Sequence, residues 1–490
     1  MSLKQKVMQG VKWTTFSTIS IVILQLVQLI VLGRLLDSNA YGLMGMVLVI
    51  VGIADLFMDM GISNATIQSE KVSKNELSSL YWLNIFCGLF IAVLIWLLIP
   101  FFATFFKEDQ LNELLIWVVL IFVITPFGQQ YKALLQRELK FNLLSKIEIV
   151  STLIGVLVSL LAAYLNYGVM SLIWGLLVIV CIRTILLNII GLRYYRPNFY
   201  FNFKDTKRFL NFGIYQAGES SINYLNSKID SIIIGRFIGS TALGYYTMAF
   251  NIIILPSTKI NPIITRVIFP VFSRIQNDTQ KLKDNFFKLL TLVSLINFPI
   301  FFGLFITAPL LIPTVFGDQW IPSVELVQLL CGVGLLRSIG NPIGSLMMAT
   351  GNVKLSFKFN AFKMVTQIPG IIIGAYFLGV LGVAYIYLIL QVFYTVFSYK
   401  YLISKTLGPS LKVYIKTFIP AFIGSVLMVG AVWLFGNILP DIPAVYNLII
   451  QVVIGGLVYV LIVFNFNNSV INELKRLLLR KLRSKNINFN

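Results

Sequence analysis

The sequence predicts an all-α integral membrane protein of about fourteen transmembrane helices. Its 490 residues are 58% hydrophobic and 12% charged, with a mean hydropathy of +0.86, whereas a soluble domain carries roughly 25% charged residues. Its apolar runs recur at about 20 residues, the length that crosses a bilayer as a helix. Its lysines and arginines gather in alternate connections between those runs, as they do in loops kept on the cytoplasmic side.

The first run, residues 13–32, follows Lys4, Lys6 and Lys12 as a signal peptide would. It is too long for one, contains Gln25 and Gln28 and lacks a small-residue cleavage site, so it reads as a retained first helix. Further spans fall at about 41–62, 80–101, 112–131, 147–165, 168–190, 209–235, 241–262, 287–309, 324–348, 357–378, 381–402, 414–435 and 445–465. With the N terminus inside, inward connections hold Lys132, Arg137, Lys140, Lys146, Arg193, Arg196, Lys204, Lys207, Lys354, Lys358, Lys363, Lys405 and Lys412, among others. Outward connections hold Arg34, Lys107 and Arg236 and acids such as Glu108, Asp109, Asp318 and Asp441. The excess of 39 Lys+Arg over 19 Asp+Glu is therefore an orientation signal with both termini cytoplasmic, and it argues against a nucleic-acid role.

An internal repeat orders these spans. GRLLDSNAYGLMGM at 33–46 matches GRFIGSTALGYYTM at 235–248 at Gly33/Gly235, Arg34/Arg236, Ser38/Ser240, Ala40/Ala242, Gly42/Gly244 and Met46/Met248. LLIP at 97–100 returns at 310–313, and Pro126-Phe127-Gly128 is echoed by Pro342-Ile343-Gly344. Six spans separate the copies, so both run the same way through the membrane, as in parallel-repeat transporters. The expected organisation is a lobe at 1–190, a basic cytoplasmic linker at 191–208, a second six-helix lobe at 209–402, a terminal helix pair at 403–465 and a basic cytoplasmic tail at 466–490. Within that tail, residues 472–485 are basic and leucine-rich, suited to contact with an anionic inner leaflet.

Composition also excludes chemistry. Without histidine there is no Ser-His-Asp or Cys-His nucleophile pair. Cys87, Cys181 and Cys331 sit in apolar runs without metal or redox spacing. No Walker phosphate loop occurs, so ATP is not hydrolysed on this chain. No catalytic residue, metal or cofactor is expected.

The most informative stretch is 209–236. A charged residue at mid-bilayer costs about 3 kcal/mol and usually lines a pathway or pairs within the bundle. At about 100° per residue, Glu219, Asn223, Asn226 and Asp230 share one face while Ser221, Tyr224 and Lys228 lie roughly opposite, so the helix faces protein or water on two sides. Other intramembrane ionisable residues are Asp55, Asp59, Arg183, Lys259 and Arg337. Each has a plain alternative. Lys228 and Asp230 can neutralise one another through a neighbouring helix, Arg183 can pair with Asp55, and Asp59 and Lys259 can snorkel to the interface. Arg337 precedes Gly340-Asn341-Pro342-Ile343-Gly344, read as a break in its span.

The residues GRLLDSNAYGLMGM (33–46), DMGISNATIQ (59–68), LLQRELKF (134–141), FGIYQAGESSINYLNSKIDSIIIGRFIGSTALGYYTMAFNI (212–252) and ITRVIFPVFSRIQND (264–278) resemble the polysaccharide transporters. These are the lipid-linked repeat-unit flippases of the multidrug/oligosaccharidyl-lipid/polysaccharide superfamily, and the likeness is to the teichuronic-acid and exopolysaccharide exporters. The resemblance implies an inner-membrane protein that moves an undecaprenyl-pyrophosphate-linked oligosaccharide from the cytoplasmic to the outer leaflet by alternating access. It further implies coupling to a proton or sodium gradient, and a polysaccharide polymerase and assembly proteins as partners. On that basis Lys228, Arg337, Lys259, Asn223 and Asn226 are candidates for substrate binding, and Glu219, Asp230 and Asp55 for the coupling ion. An ion-coupled multidrug exporter of the same superfamily is the second expectation. A glycan polymerase or ligase fits poorly, because no outward loop exceeds roughly fifteen residues and the acceptor would find no loop to hold it.

Overall fold

The computed structural model describes residues 3–59, 61–69, 72–256, 272, 274–438, 442–466, 470–472 and 476. Among them the regular elements are helices and no strand occurs, because a segment crossing hydrocarbon must satisfy its own backbone groups. The chain packs as two compact units, Met1–Thr247 and Met248–Asn490.

The first unit contains α1 (Leu3–Leu35), α2 (Ser38–Asp59), α3 (Ile62–Gln68), α4 (Lys74–Phe106), α5 (Gln110–Ile124), α6 (Pro126–Arg137), α7 (Phe141–Tyr164), α8 (Met170–Gly191), α9 (Phe203–Phe237) and the start of α10 (Ser240–Leu255). Its buried centre is α2, which packs on α4, α5 and α9. Helix α1 instead packs on α7 and leaves Phe16, Ile19, Ile23 and Val27 exposed at helical spacing, a stripe suited to lipid. Polar caps stop and start these helices. The Asp37 carboxylate accepts from the Ala40 N–H at 2.9 Å at the head of α2, and Ser73 and Glu76 form a reciprocal capping box on α4.

Between α5 and α6 the helix axis turns by 46° at Thr125-Pro126. Proline removes one backbone donor and crowds the preceding turn, which bends a helix. Gly88 on α4 makes room for the bend, since a Cβ there would strike the Pro126 ring.

The sequence repeat becomes a reciprocal contact. Gly42 lies against the Ser240 carbonyl and Gly244 against the Ser38 carbonyl, so the α1–α2 and α9–α10 junctions cross through equivalent residues. Each glycine is there because any side chain would occupy the partner's backbone. The contact also explains why α9, which opens the second copy of the repeat, packs with α2, α3 and α4. The boundary between the packed units accordingly falls inside α10.

The second unit holds the end of α10, then α11 (Thr279–Phe316), α12 (Ser323–Ala349), α13 (Val353–Ser398), α14 (Leu411–Ile438) and α15 (Ala444–Asn465). Helix α11 is its hub, packing on α12, α14 and α15. Asp278 caps α11. The Lys281 backbone N–H, which it accepts at 3.0 Å, and the Lys281 side chain hold its carboxyl below the usual range.

Helix α13 is two arms folded back at Leu378-Gly379, where Gly379 has φ 59°. Gly374 and Gly382 touch backbone to backbone, and Thr366 and Tyr394 hydroxyls meet at 2.7 Å across the arms. The arms correspond to the spans expected at 357–378 and 381–402. Ten described helices are long and apolar enough to cross a membrane, or eleven with α5 and α6 taken as one bent span. One sequence expectation is corrected: the stretch 340–344 is not a break. Helix α12 continues through Pro342, which is buried, as membrane helices tolerate when neighbouring helices and side chains take up the freed carbonyl.

The glycine crossing makes a direct prediction. Gly42→Ala and Gly244→Ala are each expected to lower the melting temperature of the purified protein, by overpacking worth about 1–3 kcal/mol. Gly430→Ala, on an exposed position of α14 with nothing within 4 Å of the new methyl, is the control and should be neutral or slightly stabilising.

Candidate functional site

Among the described residues, ionisable side chains inside the spans gather in each unit. In the first unit Asp55 and Asp59 project from α2, Lys132 and Gln129 from α6, Glu148 from α7 and Arg183 from α8. Asp59 accepts three bonds on Oδ1, from the Ser63 hydroxyl at 2.5 Å, the Ser63 N–H at 3.3 Å and Gln129 Nε2 at 2.7 Å. Arg183 lies within electrostatic range of Glu148 and Asp55, and Asp55 within range of Asp59 and Lys132. Among the described residues none of these pairs closes into a direct ion pair. Asp55 is exposed while its charged neighbours stand on α6 and α8. The carboxylate thus keeps an accessible surface within electrostatic range of basic residues on two neighbouring helices.

The α9 stretch is packed differently along its length. Asp230 is 2% exposed and accepts from Tyr246 Oη at 2.5 Å and the Ser231 N–H at 2.8 Å. One helical repeat earlier on the same face, Asn223 is exposed, and Asn226 between them is half-buried. Helix α10 therefore covers Asp230 at the outer end of this face and leaves Asn223 exposed. On the opposite side the Tyr224 ring lies over Gly52 and its hydroxyl donates to the Leu48 carbonyl at 2.9 Å. That bond explains the second polar side of α9, which faces α2. Lys228 is half-buried on α9. The Glu219 side chain and Lys259 lie outside the described residues.

In the second unit Arg337 on α12 donates from Nη1 to Tyr387 Oη at 2.9 Å. Within its electrostatic range is Lys363 on α13, whose Nζ sits 5.3 Å from the Tyr394 ring centre and 5.9 Å from that of Phe359. Two cations share this corner, Lys363 lying against aromatic faces that favour its charge, and the pair of like charges favours an anion beside it. The sequence reading placed Lys363 in an inward loop. Its position inside the run 357–378, beside Phe359 and Phe362, was the signal that it belongs to the span. Lys132 and Glu148 were missed because they lie at run boundaries, where basic and acidic residues are common. Among the described residues no group of His, Cys, Asp or Glu could hold a metal ion.

These features define a multi-pass membrane protein with ionisable residues held inside its helix bundles. The fold is that of a solved lipid II flippase, MurJ in an inward closed conformation, with a TM-score of 0.75 at 17% identity over 93% of this chain and 98% of that one. The chain belongs to the polysaccharide biosynthesis protein family, which residues 31–325 match. It is 41% identical to the lipopolysaccharide biosynthesis protein WzxC of Escherichia coli K12 over 85% of this chain and 84% of the relative. It is 33% identical to the teichuronic acid biosynthesis protein TuaB of Bacillus subtilis 168, over 80% and 81% of the two chains. The family expected from the residues is therefore the family found.

The Asp230–Tyr246 bond can be tested by itself. Tyr246→Phe removes a donor from a buried carboxylate, so it should destabilise the purified protein by about 1.5–3 kcal/mol, read as a lower melting temperature. Asp230→Asn, which leaves an acceptor facing Tyr246, should cost less.

Proposed function

We propose that this protein flips a lipid-linked oligosaccharide repeat unit from the inner to the outer leaflet of the cytoplasmic membrane, for the synthesis of a cell-surface polysaccharide. The similarity to WzxC across most of both chains carries this reading, and the fold shared with a lipid II flippase supports it. The physical need agrees: a sugar head group joined to pyrophosphate cannot enter hydrocarbon unaided, so its carrier must hold polar residues inside the membrane. We read the chain as fourteen spans with both termini cytoplasmic, and the two copies of the repeat as the lobes of an alternating-access cycle. No catalytic step is proposed.

In this reading Arg337 and Lys363 attract the anionic head group, Lys228 and Lys259 add to the positive field, and Asn223 and Asn226 offer amides to sugar hydroxyls. Asp55 and Glu219 are the coupling acids. An acid that exchanges a proton or sodium ion must reach water, and Asp55 is open whereas Asp230 is enclosed by Tyr246. We therefore assign Asp230 to holding α9 against α10. The crossing of Gly42 and Gly244 with the serine carbonyls lies at the expected outer ends of its helices, and it parts when the outward side opens.

Reconstituted protein and a fluorescent lipid-linked oligosaccharide test this assignment. Arg337→Gln and Lys363→Gln are each expected to slow flipping about ten-fold, equivalent to about 1.4 kcal/mol, without lowering the melting temperature. Asp55→Asn and Glu219→Gln should remove the response of the rate to an imposed proton or sodium gradient. If Arg337→Ala and Glu219→Gln both leave flipping and surface polymer unchanged, the site is misassigned. Flipping of no lipid-linked sugar, with efflux of cationic drugs instead, would replace the proposal with the multidrug reading.

A further inference from the structure

The connection from α8 to α9, residues 192–202, is not helical, yet it is tied along the first turns of α4. The Ser78 hydroxyl accepts from the Asn198 N–H at 3.1 Å and shares a 2.5 Å bond with Tyr195 Oη. Tyr195 Oη also donates to the Lys74 carbonyl at 3.2 Å. Trp82 Nε1 donates to the Asn198 carbonyl at 2.9 Å, and the Asn202 N–H donates to Ser79 Oγ at 3.1 Å. Ser78 and Ser79 are buried by the strap, so its backbone is fixed to the helix.

This fixed backbone turns its large side chains outward. Phe199 is 98% exposed, and Phe201 and Phe203 are exposed as well. A free apolar cluster of this kind in water would be costly. The cluster is, however, continuous with an exposed stripe on α4. Trp82, Phe86, Phe90, Val93, Leu97 and Phe101 follow at steps of three and four, and all but the half-buried Trp82 are exposed. Phe199 stacks on Trp82 at 5.4 Å between ring centres, and Phe201 meets Phe86 edge-on at 5.8 Å. The strap thus extends the lipid-facing side of α4 past the end of the helix. Around it Arg193, Arg196, Lys204 and Lys207 are all exposed. The one acid among them, Asp205, accepts from Ser79 Oγ at 3.5 Å and so turns toward the protein. Aromatic rings favour the headgroup level of a bilayer, and clustered bases favour anionic headgroups.

We propose that residues 192–207 form an interfacial lipid clamp, with Phe199, Phe201 and Phe203 set at the headgroup–acyl boundary and Arg193, Arg196, Lys204 and Lys207 holding anionic phospholipid headgroups. The leaflet is the one at which α4 begins, the inner one by the distribution of basic connections. A protein partner is disfavoured because the aromatic surface merges with the lipid-facing stripe without a polar rim. The inference is independent of the flippase reading, and its failure would leave that reading intact.

Two measurements on the full-length protein test it. In the first, Phe199→Cys carries a nitroxide in a chain whose three native cysteines are serine, in vesicles of phosphatidylcholine with a minor share of phosphatidylglycerol. The nitroxide should collide with oxygen far more than with a water-soluble nickel chelate, as a label at Phe90 does, and unlike one at the exposed Glu138. The second needs no cysteine replaced: native mass spectrometry compares retained phosphatidylglycerol and phosphatidylcholine. Replacing Arg193, Arg196, Lys204 and Lys207 together with glutamine should weaken retention of phosphatidylglycerol at least about ten-fold, as expected for four bases at an anionic surface, and leave phosphatidylcholine unchanged. A label at residue 199 as open to the nickel chelate as the one at Glu138 overturns the proposal. So does phosphatidylglycerol retention that survives the four substitutions.

Discussion

Inside a bilayer every polar group must find its partner within the protein, because lipid offers none, and most of this architecture follows from that. Along α11 the side chains of Thr291, Ser294 and Asn297 each bond to a carbonyl one turn back, at 2.8–3.0 Å, so each of these donors finds an acceptor on its own helix. Where helices must come close, the contact is made by removing side chains. Gly42, Gly244, Gly88, Gly374 and Gly382 each admit a carbonyl or a proline ring from the neighbour. With no hydrophobic drive to press helices together in lipid, this close approach supplies the packing that holds the bundle.

The same constraint decides what could be read from sequence. Long apolar runs and alternating basic connections were legible because thickness and orientation are properties of the membrane, the same for every span. The repeat at 33–46 and 235–248 was legible as similarity, but its meaning was not. Nothing in GRLLDSNAYG or GRFIGSTALG states that each glycine will receive the other copy's serine carbonyl, which depends on two segments far apart in the chain. Pro342 shows the converse error. A proline beside two glycines suggests a break, and at Pro126 an equivalent motif does bend the axis, whereas α12 continues as one helix through a buried Pro342.

The candidate residues were legible in type more than in surroundings. Counting ionisable residues within spans singles out Asp55, Arg183, Asp230 and Arg337. Their environments differ in ways that spacing cannot show. Asp230 and Asn223 share a helical face, yet the first is sealed by Tyr246 and the second is open, since α10 covers only part of α9. For Arg183 the plain alternative was a pair with Asp55. It lies within electrostatic range of Asp55 and Glu148 without closing on either, a geometry that depends on how far apart α2, α7 and α8 are held. Lys363 was counted among the inward basic connections although it lies inside the run 357–378. Together with Arg337 it places positive charge in the second unit, while the first unit holds a mixture of acids and bases.

The hairpin of α13 has a further consequence for how the molecule meets its surroundings. Its tip is Tyr376, Phe377, Leu378 and Gly379, the first three strongly exposed and none charged. A turn of that composition stays at the membrane surface and does not project into water. The side of the protein on which it lies presents no loop there for a protease, an antibody or an amine-reactive label to grip. During synthesis there is also no hydrophilic segment to be passed across the membrane between the two arms, so they can enter the bilayer as one preformed unit.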